Sequence, residues 1–193
     1  VPITLHGAAK HNAENAAAVL AAGLSLGLPA EALRRALTQF QPSPEDNPGR
    51  TNAFQYRGAT VILDFAHNVD GIRTLVETAK RLSASRVLMV IGQAGDRSDE
   101  LIQQEAASAW EARPSVIVIK ETPEQLRGRQ PGEVPALFRD AFLALGAPSE
   151  SLRFAPTELA GVELALSESQ PGDVVLLMVH QVRSEALALL RKG

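Results

Sequence analysis

Asp64-Phe65-Ala66-His67-Asn68 puts a carboxylate, an imidazole and an amide into one short stretch. A carboxylate accepts from hydroxyl groups, and an imidazole beside a helix N-terminus meets an anion, so this group suits a ribose or a phosphate. The same residues also read as plain structure, with Asn68 or Asp70 capping the next helix and His67 packing locally. Gly92-Gln93-Ala94-Gly95-Asp96-Arg97-Ser98-Asp99 forms a second group. Its two glycines permit the backbone to approach a ligand closely, and Asp96 with Arg97 adds a charged pair at a helix start. The competing reading is a tight turn capped by Asp96 or Ser98. In a third group, Arg127-Gly128-Arg129-Gln130-Pro131-Gly132-Glu133, two arginines on a Gly-rich loop suit bidentate clamping of a carboxylate or phosphate. A solvated basic loop is the alternative. His11-Asn12-Ala13-Glu14-Asn15 opens the first helix, where Asn is a common cap. His180 follows the last strand and reads as structural or exposed rather than catalytic.

Several motifs are missing. No GxxxxGK[ST] phosphate loop occurs; the lysines stand at Lys10, Lys80, Lys120 and Lys192. HExxH and GxSxG are absent, and His6 and His11 do not build a metal-ligand set, so no metal site is expected. The chain therefore lacks a self-contained phosphotransfer site.

The elements that must position these groups follow from apolar spacing. Residues 11–27 are Ala/Leu-rich and read as a helix ending at Gly27. Pro29 opens a second helix, with Leu33, Ala36, Leu37 and Phe40 on one face. Gln41 to Arg50 holds three prolines and a glycine, which predicts a linker or long loop. Asn52–Tyr56 and Thr60–Asp64 flank Arg57-Gly58-Ala59 and read as a β-hairpin. Helices and continuous apolar strands then alternate to the end, with strands at 86–91, 115–120, 152–155 and 173–179. That alternation predicts an α/β, Rossmann-like, doubly wound and mostly parallel sheet with helices on both faces, preceded by an N-terminal helical segment. Ligands in such sheets sit beyond the carboxyl ends of the strands, where the three groups fall.

Composition narrows the function classes. Lys plus Arg is 19 against 22 for Asp plus Glu, a net charge of −3, and aromatics are 4% of the 193 residues. This speaks against nucleic-acid binding by bulk charge. No run of about 18 apolar residues appears, so no membrane partner is expected. Cysteine is absent, which fits a cytoplasmic location.

Taken together, His11-Asn12-x-x-Asn15, the helix pair, the Pro-rich segment ending Gly49-Arg50, and Asp64-Phe65-Ala66-His67-Asn68 resemble the Mur ligase family. That family includes the peptidoglycan amino-acid ligases, folylpolyglutamate synthase and cyanophycin synthetase. The stretches Gly95 to Glu100 and Arg127 to Glu133 look most like the Mur-like portion of cyanophycin synthetase. The resemblance spans essentially the whole chain. It implies that residues 1–48 are the terminal helices of a central ATPase domain plus linker, and 49–193 a C-terminal domain that closes over ATP and receives an amino acid. The P-loop would then lie upstream of Val1, which would account for the missing Met and the missing phosphate loop together.

Roles carry over by matching position. Asn15, with Asn12, matches the motif near adenine, and Arg50 the linker arginine that approaches phosphates. Asp64 and His67, with Asn68 beside them, match the pair at ribose and phosphates and are the catalytic candidates. Asp96, Arg97, Asp99, Arg127 and Arg129 are the candidates for the amino-acid side. Val69 stands where Pro usually follows His-Asn, which loosens the loop but leaves its polar atoms available. The implied chemistry is ATP- and Mg²⁺-dependent amide formation between a carboxylate acceptor and an amino acid such as arginine, inert in the fragment alone. A homo-oligomer is compatible with the sequence. The alternative is a stand-alone, non-catalytic nucleotide- or anion-binding module.

Overall fold

In this computed structural model, residues 1–82 and 84–192 are described. A short 3-10 segment, Pro2–Gly7, leads into α1 (Lys10–Ser25) and α2 (Ala30–Gln39), joined through Gly27 at φ 77°. The Pro-rich loop follows. After it come β1 (Asn52–Tyr56), β2 (Ala59–Asp64), α3 (Val69–Arg81), β3 (Val87–Ile91), α4 (Asp99–Trp110) and β4 (Val116–Lys120). The chain closes with α5 (Glu133–Ala144), β5 (Leu152–Ala155), α6 (Glu158–Glu168), β6 (Val174–Met178) and α7 (Arg183–Leu190).

The hairpin turn is tighter than its sequence suggests. Arg57 and Gly58 both take positive φ, 49° and 84°, and Ala59 already pairs with Tyr56. Two residues at positive φ give a turn whose twist matches the flanking strands.

The six strands run in the order β1-β2-β6-β3-β4-β5. Only β1 and β2 are antiparallel; every other neighbouring pair is parallel. The expected mostly parallel, doubly wound sheet is therefore present. Side-chain alternation divides its core in two. Ile62, Met89, Ile117, Leu176 and Met178 face a layer that holds Ile72, Leu75, Ile102, Phe138 and Phe142 of α3, α4 and α5. Leu63, Val90, Val118, Val175 and Leu177 face Val162, Ala165 and Leu166 of α6 and Ala186 and Leu190 of α7. Burial on both faces explains why these strands are unbroken apolar runs.

β6 enters between β2 and β3, so the chain direction across the sheet reverses there. Such a reversal leaves a crevice at the carboxyl ends of the strands. Asp64, the Gly92 loop and His180 all leave the sheet at that point. Caps set the crevice walls. Asn68 Oδ1 accepts from Gly71 N at 2.8 Å, and Ser98 Oγ accepts from Leu101 N at 3.3 Å. No helix among the described residues is long and apolar enough to cross a membrane.

Candidate functional site

Asp64 ends β2, and its Oδ2 accepts from both Thr51 N (2.7 Å) and Thr51 Oγ1 (3.1 Å). Among the described residues nothing donates to its Oδ1. Thr51 stands at φ 49°, so the two bonds hold a strained turn. His11 Nε2 lies 3.3 Å from the same Thr51 hydroxyl. Burial pushes the His11 imidazole down, against the charges of Asp64 and Glu14. The Pro-rich loop is clamped to β2 as well: Phe65 N donates to Gly49 O (2.9 Å), and Gly49 N to Asn52 Oδ1 (2.7 Å). Arg50 is thereby carried beside the Phe65 ring, 5.7 Å from its centroid, and no carboxylate pairs with it among the described residues.

These groups line one open cleft of about 450 Å³ with His11, Asn15, Arg50, Thr51, Asp64 and Asp70 on its walls. Asn12 lines it too, but its amide is largely committed. Asn12 Nδ2 donates to Ile3 O at 2.9 Å, and its Oδ1 accepts from Asn15 Nδ2 at 3.3 Å. Asn12 thus fixes the start of α1, and Asn15 is the exposed amide of the two.

His67 and Asn68 face a second cleft of about 410 Å³, together with Arg97 and Glu105. Asp70 lines both clefts, so the two adjoin. His67 Nδ1 lies 3.0 Å from Phe65 O, an atom that only accepts, so Nδ1 carries the hydrogen and Nε2 is left for a ligand. Asn68 gives its oxygen to the helix cap and keeps only its amide nitrogen for other contacts. Arg97 Nε is buried and finds no partner among the described residues. Burial pushes the Glu105 carboxyl up to about 7, against its bond to Gln93 and the Arg97 charge.

His180 has a structural hold: Nε2 donates to Ala66 O at 3.0 Å, and its ring meets Phe65 edge-on at 5.3 Å. Burial, with the Lys120 charge, pushes it down to about 4, so it is neutral at pH 7.

The arginine loop is bound to its own chain. Arg129 donates to Gly95 O (2.9 Å), Arg97 O (2.7 Å), Asp99 Oδ1 (2.6 Å) and Glu133 Oε1 (2.7 Å). Its fork therefore staples the 95–99 loop to α5. Arg127 pairs with Asp96 at the surface, where both side chains are about half exposed. Such an exposed pair contributes little to stability.

The two glycines differ from their expected use. A Cβ on Gly95 would collide with the Leu126 carbonyl oxygen, and one on Gly92 with the Lys120 carbonyl oxygen. Close approach here is chain to chain, between the β3 loop and the β4 strand and loop, rather than chain to ligand. Gly95→Ala is expected to lower stability by roughly 1–3 kcal/mol, the usual range for overpacking. A urea melt followed through Trp110, the single tryptophan, measures it; an unchanged midpoint would reject the packing role.

His11, Thr51 and Glu105 were not singled out as site residues by their sequence context. His11 sits beside the Asn12 motif, which is the one local signal. Thr51 and Glu105 have none, because their partners lie far along the chain.

A mostly parallel α/β domain with a polar crevice at its switch point is a ligand-binding architecture. A family profile described as "Mur ligase, glutamate ligase domain" matches residues 49–179, and the chain belongs to that family. The cyanophycin synthetase of Geminocystis herdmanii is 30% identical over 185 residues, covering 94% of this chain and 20% of that protein. The UDP-N-acetylmuramoyl-L-alanyl-D-glutamate–2,6-diaminopimelate ligase of Solibacter usitatus is 27% identical over 169 residues, covering 87% of this chain and 32% of that protein. The chain thus spans about a fifth to a third of the curated relatives it matches. The solved UDP-N-acetylmuramate–alanine ligase of Thermotoga maritima has the same fold, with a TM-score of 0.68 at 19% identity. It is matched over 94% of this chain and 37% of its own.

Proposed function

We propose that this chain is the C-terminal portion of an ATP-dependent amide ligase, closing over nucleotide and receiving an amino acid. On this reading residues 1–48 belong with an upstream Mur central domain that carries the phosphate loop, and the fragment alone does not turn over. The observation that carries it is the single cleft that collects Asn15, Arg50 and Asp64 from three separate segments. An unpaired guanidinium, an amide and a carboxylate oxygen without a donor are the groups a nucleotide needs. Asn15, with Asn12 behind it, would stand at the base, Asp64 at the ribose, and Arg50, His67 and Asn68 toward the phosphates.

The surface of the helical hairpin supports the upstream partner. Val19 and Leu24 on α1, and Leu26 and Leu28 in its connection to α2, stand at least half exposed. Apolar residues gathered there fit a covered face.

In the chemistry proposed, a carboxylate oxygen of the acceptor attacks the γ-phosphorus of ATP and ADP leaves. The amine then attacks the acyl carbon and phosphate leaves. Mg²⁺ would neutralise crowded phosphate oxygens. On this reading the ion would be held beside the phosphate loop on the upstream domain. Arg50 would bring added positive charge from this side, His67 would offer its Nε2 to the phosphates, and closure would keep water from the acyl phosphate. Arg97, in the second cleft, would meet the amino acid, and the exposed Asp96–Arg127 pair remains a candidate for the same side. Arg129 and Asp99 would hold that loop in place. The resemblance drawn from the sequence implies arginine or a similar amino acid as the amine and a carboxylate as the acceptor, and the cysteine-free composition fits the cytoplasm.

ADP release by the ligase that carries this chain tests the reading. Turnover is expected only when ATP, amino acid and acceptor are all present. ADP release that ignores the amino acid would contradict the ligase reading, and ATP binding with no ADP release when all three are present would favour a non-catalytic nucleotide-binding module.

A further inference from the structure

Gln93 follows β3 and is 5% exposed, yet every hydrogen-bonding atom of its amide has a partner. Its Oε1 accepts from Ala94 N at 3.2 Å, which fixes the orientation of the amide. Its Nε2 has two hydrogens to give. One goes to the His67 carbonyl at 2.7 Å and the other to Glu105 Oε1 at 3.0 Å. Glu105 lies on α4 and is 2% exposed, and its second oxygen meets no partner among the described residues.

An apolar residue would be the ordinary choice at position 105. The helix buries Ile102, Ala106 and Ala109 on the same side, and a buried carboxyl with an unmet oxygen is costly. What the polar pair adds is a connection: α4, the end of β3 and the loop after β2 are joined through three consecutive groups. The His67 ring is held separately, from Nδ1 to Phe65 O. Its backbone carbonyl is held by Gln93.

We propose that Gln93 and Glu105 are positioning residues: through one hydrogen-bond chain they set the height and orientation of the His67 loop. Its consequence for catalysis rests on the role given to His67 above; the chain itself does not.

The test uses this chain without ligand, by ¹H–¹⁵N spectroscopy. Gln93→Met removes both Nε2 donors at similar length, and Glu105→Leu removes the acceptor at similar bulk. Both are expected to move the amide signals of residues 65–68 and the His67 ring nitrogens in the same direction. Groups acting through one chain are non-additive, so the double variant should add little. Glu105→Gln, which keeps an acceptor oxygen, should restore most of the wild-type positions. A folded Glu105→Leu with His67 signals at wild-type values would overturn the proposal, as would shifts that simply add. A measurement on the unaltered protein covers the case in which the variants fail to fold. The side-chain NH₂ hydrogens of Gln93 should exchange at least about tenfold more slowly than those of exposed Gln103, as expected for bonded, buried hydrogens. Equal rates would also overturn it. If Glu105→Leu moves the His67 signals but leaves kcat/KM of the ligase unchanged, the chain stands and the role given to His67 falls.

Discussion

Glu158→Gln is expected to lower the unfolding free energy by about 3–5 kcal/mol, the range for breaking a buried ion pair from one side. Lys120 is fully buried at the end of β4, and its ammonium meets the Glu158 carboxylate and the Met178 carbonyl. Glu158 also accepts from three successive backbone N–H groups where β6 turns into α7. Its Oε1 lies 3.0 Å from His180 N, 2.7 Å from Gln181 N and 2.9 Å from Val182 N. Glutamine cannot replace all of this, because its NH₂ end faces donors. For the same reason the double change Lys120→Met with Glu158→Leu should not restore stability. Apolar replacement of a buried pair is often neutral, but here three backbone donors would lose their acceptor.

The pH dependence has a defined sign. Burial alone would raise the Glu158 carboxyl, but the Lys120 ammonium and the turn N–H groups pull it down to about 2. Its stabilising effect is present above pH 4.5, its ordinary value, and is lost as pH falls toward 2. The shift corresponds to about 3 kcal/mol. His180, pushed down to about 4, stabilises above pH 6.5 and loses that effect on acidification. Glu105, pushed up to about 7, does the opposite: its penalty stands in full above that pH and is relieved toward 4.5. The last two offset each other between about pH 4.5 and 6.5, so stability should be nearly level there and drop steeply below. Urea melts across pH measure this, and a Glu158→Gln loss under about 1 kcal/mol would reject the role given to the pair.

The second large effect is on turnover. Asp64→Ala and His67→Ala, made in the ligase that carries this chain, are each expected to lower kcat/KM for ATP at least about tenfold, or roughly 1.4 kcal/mol. Their stability effects should differ. Asp64→Ala removes two bonds to Thr51, each worth about 1 kcal/mol, and loosens the turn that carries Arg50. His67→Ala removes one side-chain bond on a half-buried loop and should leave the melting midpoint almost unmoved. A change within about twofold in kcat/KM for both variants would remove these residues from the site.

Much of the fold was readable from local pattern. Strands such as Val174–Met178 are apolar on both faces, and the phases of Ile72, Leu75 and Val76 or of Ile102, Ala106 and Ala109 mark buried helix faces. The position of Asp64 through Asn68 at a strand end was equally local. What escaped were contacts made at a distance along the chain. Gly95 answers to Leu126, Arg129 to Asp99, Asp64 to Thr51 and Lys120 to Glu158. The acceptors of Arg129 in the 95–99 loop and the counter-ion of Lys120 on α6 lie far along the chain, so local spacing does not mark them. Residue type and spacing report helices and strand ends; they do not report which loops meet above the sheet.

The central claim is that this domain serves a ligase that activates a carboxylate by phosphorylation. Oxygen transfer tests it most directly. The acceptor is supplied with ¹⁸O in its carboxylate, and the phosphate released by the ligase that carries this chain is examined by mass spectrometry. The account predicts one ¹⁸O atom in each phosphate released, because the acyl–oxygen bond breaks after phosphorylation. Phosphate that takes its fourth oxygen from water, with the label left in the product or acceptor, would contradict it.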